Sequence, residues 1–140
     1  MLNVIKGVLF VLVLLQFIPV KIENKPFDKA LEIKAPEEIM AILKRSCYDC
    51  HSNEVKIPWY ASIAPFSYTI ANHIDLGRKW VNFSEWENYT QEQKDKKLDG
   101  IFRTVYAAMP LPSYLWLHPE AKLTKDEIKK IRDWTGKAPF

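Results

Sequence analysis

Cys47-Tyr48-Asp49-Cys50-His51 contains both cysteines of the chain and is the stretch from which the rest can be read. Thiols three positions apart fall on the same side of one helical turn, and an imidazole follows at once. This is the pattern in which two thioether bonds fasten one porphyrin while the next histidine takes its iron. It predicts a single covalent haem c, attached at Cys47 and Cys50, with His51 as the proximal axial ligand. Two other uses of paired cysteines fit less well. A thioredoxin-like pair sits between a strand and a helix and does not require the histidine. A structural zinc site needs four ligands at close spacing, and His73 and His118 stand far from each other in sequence.

Upstream of the motif, Pro36 with Glu37 and Glu38 reads as a helix start, and Ile39, Ile42 and Leu43 supply its apolar stripe. That helix runs into the two cysteines. Downstream, Pro58-Trp59-Tyr60 through Ala64-Pro65 predicts a loop that cannot be regular helix. The rings of Trp59 and Tyr60 are candidates to pack on the porphyrin plane. A second long helix follows Pro65, with Phe66, Ile70, His73 or Ile74, and Gly77 at helical spacing. Ser84 with Glu87 reads as a capping box opening a short helix, and Thr90 with Gln93 as the box of a third long helix carrying Leu98, Ile101, Phe102 and Val105. That helix should stop at Met109-Pro110. Thr124 with Glu127 opens a last one, closed by Gly136. No segment alternates with period two. The fold class is all-α: a small cytochrome c-like helical domain with long loops, preceded by an N-terminal hydrophobic helix.

A second axial position remains to be filled. Met109 is the leading candidate, because its thioether follows a helix end and precedes two closely spaced prolines, Pro110 and Pro112, on a stiff loop. The alternatives are His73, on a helical face with Ile70 and Gly77, and His118, in a loop before Pro119.

The chain of 140 residues, 48% hydrophobic and 26% charged, is enough for one compact domain and too apolar for disorder. A formal charge of +3, with basic residues interleaved among acids, gives no nucleic-acid footprint. Residues 1–20 differ in kind: Lys6 precedes an apolar run from Gly7 to Val20 broken only by Gln16, as in an export signal. The large or rigid residues Phe17 to Lys21 lack a cleavage pattern. An uncleaved anchor in the inner membrane is therefore preferred to a soluble periplasmic protein released by cleavage. Residues 21–35 read as a tether that holds the domain off the bilayer, and 36–140 as the haem-binding domain. Export agrees with the motif, since two cysteines in an oxidising compartment would otherwise pair.

The ordered set Ser46-Cys47-Tyr48-Asp49-Cys50-His51-Ser52-Asn53, Pro58-Trp59-Tyr60, His73, Gly77-Arg78, Asn82-Phe83-Ser84, Met109-Pro110, Tyr114, His118, Ala121 and Leu123 resembles the bacterial haem-binding domain family of small c-type cytochromes. The likeness covers nearly all of the chain after the apolar segment; Arg78-Lys79-Trp80 departs from it mildly. It implies haem c at Cys47, Cys50 and His51, and leaves the distal ligand and partners open. The expectation is a membrane-anchored, periplasm-facing monohaem cytochrome passing single electrons between redox partner proteins. A peroxidase-like or gas-binding haem protein with an open distal site is the alternative, and a haem-bearing module of a larger complex the third reading. No acid-base pair, nucleophile elbow or phosphate loop is present, so an enzyme is the less favoured class.

Overall fold

A computed structural model describes residues 1–138, so the last two residues of the expected domain lie outside it. The described residues form seven α-helices and no strand: α1 (Leu2–Leu15), α2 (Glu37–Ser46), α3 (Tyr48–His51), α4 (Phe66–Trp80), α5 (Gln91–Ala107), α6 (Pro112–Leu115) and α7 (Lys125–Thr135). Short 3₁₀ turns at Lys29–Leu31, Trp59–Ser62, Phe83–Asn88 and Pro119–Ala121 punctuate the connections.

The caps explain where most helices begin. Thr90 with Gln93 and Thr124 with Glu127 each close a reciprocal box at the heads of α5 and α7, and Gly136 ends α7 in the left-handed conformation. Pro36 is the N-cap of α2 rather than its first helical residue, with Glu37 and Glu38 in the positive first turn. Ser84 does not form the expected box with Glu87. Asn82 caps the turn at Phe83–Asn88 by accepting from the Ser84 N–H, because the Ser84 hydroxyl is already taken by the Asn53 N–H at 3.0 Å.

Two apolar clusters hold the helices. Ile33, Ile39, Leu43, Tyr48, Val81, Phe83 and Trp86 form the first, with Cys47 packed against it. Ile42, Val105, Leu123 and Ile131 form the second, joining α2, α5 and α7. Each buried aliphatic side chain contributes roughly 1.5–3 kcal/mol. The two clusters meet on α2, whose Ile39 and Leu43 face one and Ile42 the other, so α2 delivers the cysteines from the centre of the domain.

The amino-terminal region departs from expectation. The apolar helix ends at Leu15 rather than Val20, and no helix of the described residues is long and apolar enough to cross a membrane. Gln16 stops it: its amide nitrogen donates to Ala64 O at 3.1 Å and its oxygen accepts the Ala64 N–H at 3.1 Å. Nor do residues 21–35 stand away from the domain. Asn24 pairs with both backbone groups of Val55, the Arg78 guanidinium donates to Glu23 O, Asn53 donates to Pro26 O, and the Ile33 N–H bonds Phe83 O at 2.8 Å. The expected tether is a strap laid along the domain.

Candidate functional site

Cys47 ends α2, and α3 starts at the next residue, with the Cys50 and His51 N–H groups both turned back to Cys47 O at 3.2 and 3.0 Å. Both cysteines are unpaired and half-buried. Burial pushes the Cys47 thiol up to about 12, helped by its neighbour Cys50, and the Cys50 thiol up to about 11, helped by Asp49. Both are therefore protonated at neutral pH. Redox-active C-x-x-C pairs work through a depressed thiol pKa, and this pair has the opposite environment.

His51 is fixed from behind by α4. Its Nδ1 lies 3.0 Å from Gly77 O and 3.1 Å from Val81 O, the two carbonyls at the end of that helix. Facing only acceptors, Nδ1 carries the proton, so Nε2 keeps its lone pair. Burial lowers the His51 pKa and outweighs the opposing backbone bonds, which keeps the ring neutral. A neutral imidazole whose other N–H is held by a carbonyl is the usual state of a histidine that ligates a metal.

Gly77 explains how α4 comes close enough. A Cβ at this position would stand 2.3 Å from Cys50 O and 2.9 Å from Cys50 C, so only glycine lets the two backbones touch. The residues after the motif lock the same joint. Ser52, Asn53, Asn82 and Ser84 are all buried. Asn82 donates to Asn53 Oδ1 at 2.8 Å, Asn53 donates to Glu85 at 3.0 Å, and Ser52 Oγ donates to Tyr48 O at 2.8 Å. The Arg78 Nε donates to Ser52 O at 2.8 Å, so the mild departure at this position still serves the motif.

On the other side lies an aromatic group tied to the middle of the motif. Tyr114 of α6 donates to Asp49 Oδ2 at 2.8 Å; burial, and then that bond, keep its phenol protonated. Its ring stacks on His118 at 4.3 Å between centroids. His118 is committed at both nitrogens, with Tyr60 Oη at 2.5 Å from Nε2 and Glu120 at 3.1 Å from Nδ1. Tyr60 is thus part of this group. Trp59, edge-on to Tyr60, is 77% exposed.

Met109 begins the loop that α6 continues, five residues before Tyr114, with its N–H on Thr104 O at 2.9 Å and its side chain exposed. The Tyr114–Asp49 bond brings that loop to the motif. His73 instead occupies α4 one turn before Gly77, on the helix that backs His51. Among the described residues no group of three or more His, Cys, Asp or Glu is placed to hold a metal ion by itself. The donor set fits a porphyrin-borne iron better: one neutral imidazole with a free Nε2 beside two protonated thiols on a single turn.

Sequence reading missed the residues that support the motif. Gly77 and Val81 act through backbone carbonyls, which no side chain announces. Asn53, Asn82 and Ser84 left a signal, small polar residues among core hydrophobics, but their pairing across about thirty positions is invisible to local spacing.

The model of a family described as a haem-binding domain matches residues 10–137. No curated protein and no solved structure matches the chain.

Proposed function

Starting from a chain that belongs to the haem-binding domain family, we propose a monohaem c-type cytochrome, attached to the periplasmic face of the bacterial inner membrane, that passes single electrons between redox partner proteins. The observation that carries this reading is His51, which presents a free Nε2 because Nδ1 is held by Gly77 O and Val81 O, beside Cys47 and Cys50 on the same turn. Haem, when bound, supplies the one-electron couple. The chain supplies the thiols of Cys47 and Cys50, orients His51 and keeps it neutral, and excludes water behind it with the cluster around Phe83.

Met109 is the proposed second axial ligand. Its rivals are less well supported: His118 has both ring nitrogens in hydrogen bonds, and His73 stands on α4, the same helix whose end holds His51 Nδ1. Tyr60 and Trp59 are the proposed ring contacts. The exposure of Met109 favours one second reading, an open distal side that binds diatomic gases or peroxide.

Two experiments decide. With Cys47→Ser and Cys50→Ser together, pigment that comigrates with the chain in denaturing electrophoresis disappears; pigment that persists refutes attachment at these residues. Met109→His retains haem and lowers the reduction potential markedly, since thioether ligation raises it. An unchanged potential and spectrum would remove Met109 from the iron, and a high-spin ferric parent protein that binds carbon monoxide rapidly on reduction would select the open site.

A further inference from the structure

Helix α1 is apolar along its length apart from Asn3 and Lys6 in its first turns, and none of its residues is buried. A helix of that kind finds its place in lipid or inside protein, and the domain does not cover it. Its 14 residues extend only about 21 Å at 1.5 Å per residue, against a hydrocarbon core of about 30 Å. The chain beyond it is not free to add the missing length as helix. Besides the Gln16–Ala64 pair, the Tyr68 hydroxyl reaches Leu15 O at 3.1 Å and Ile18 O at 3.0 Å. The end of α1 is thus bolted to the head of α4.

The surface at that junction is itself apolar. Phe17 is 78% exposed, Ile18 58%, Phe66 56% and Ile63 39%, and Ile63 and Phe66 flank the Ala64–Pro65 pair on which Gln16 closes. Resting on the anchored reading given above, we propose that this face sits in the headgroup boundary of the bilayer that receives α1, and that the strap, together with the Gln16–Ala64 pair just before it, holds the domain on it in one orientation. The occupant is lipid because the patch continues an apolar helix too short for the core. A short hydrophobic helix is accommodated by local thinning and by drawing its flanking apolar residues to the interface. The family match begins at residue 10, within α1, and so includes the strap with the domain. Helix α4 then acts as a spacer: Gly77 and Val81, which hold His51, lie 11 and 15 residues beyond Phe66, about 16–22 Å along its axis.

The test uses the full, haem-loaded chain in vesicles of phosphatidylethanolamine and phosphatidylglycerol, with nitroxide labels at Ile63→Cys, Phe66→Cys and, as a reference on α5, Tyr106→Cys. Labels at 63 and 66 should lose collision with a water-soluble nickel relaxant and gain it with oxygen, while the label at 106 does the reverse. Adding Gln16→Ala with Asn24→Ala should return the label at 66 to water while the chain still resists carbonate extraction. Tyr68→Phe, a milder cut, should do so in part. If labels at 63 and 66 are as wet as 106 in a carbonate-resistant chain, the docked face is wrong and the anchor stands. If carbonate removes the chain, both fall. Shielding that varies with the protein-to-lipid ratio would assign the face to a second copy and overturn the lipid reading, and shielding that survives loss of Gln16 and Asn24 would overturn the strap.

Discussion

Behind His51, backbone meets backbone: Gly77 touches Cys50, two helix-end carbonyls grip one imidazole, and three buried polar side chains, Asn53, Asn82 and Ser84, tie the residues after the motif to those after α4. In front of the motif, the loop from Ala108 to His118 reaches it by the Tyr114–Asp49 bond, and carries the exposed side chains of Met109, Trp116 and Leu117. The rear is specified by contacts that admit one arrangement. The front is held by side-chain bonds among half-exposed rings, each worth only about 1 kcal/mol net. That asymmetry holds His51 rigidly and the loop carrying Met109 loosely, as the proposed reading requires.

Gly77→Ala should break the rear. The added methyl would lie within bonding range of a carbonyl that no side-chain rotation can move, so α3 and α4 must separate, at a cost of about 3 kcal/mol and a reduced yield of haem-loaded protein, read by denaturant unfolding and by pigment per chain. Tyr114→Phe tests the front. Loss of the bond to Asp49 should cost about 1 kcal/mol with pigment retained, while the His118 stack survives. Should the two substitutions prove equally costly, the contrast between the faces is wrong.

The smallest effect lies under both faces, where Arg45 of α2 reaches Glu127 of α7 at 2.8 Å. The bond from Arg45, then the Thr124 N–H, holds the Glu127 carboxyl down at about 2. A folded-state value below the unfolded one contributes stability that is present above about pH 4.5 and is lost as pH falls toward 2. Glu127→Gln keeps the capping box, so it should cost less than about 1 kcal/mol at neutral pH, with the gap from the parent closing below pH 4 in an acid titration followed by circular dichroism. A gap that widened in acid would contradict the pairing.

These contrasts also mark what was legible in the chain. The helices α2, α4, α5 and α7 could be read because caps and apolar stripes are local: Thr90 with Gln93, Thr124 with Glu127, and Gly136 all act within a few residues of themselves. The motif was legible for the same reason. The strap was not, since it depends on Gln16 meeting Ala64 and Asn24 meeting Val55 across 48 and 31 positions, and an isolated amide in a polar stretch looks the same whether or not it finds a partner. Ser84 misled because its hydroxyl served a distant amide instead of its own turn. Gly77 could be placed on a helix face by its spacing, but its reason for being glycine lies in a backbone 27 positions earlier.

Cys47 is packed against the cluster that Ile33, Ile39 and Phe83 form, and it stays half-buried. If the sulfur is to be alkylated by a vinyl group, that packing must leave one side of Cys47 open, and its half-buried state does so.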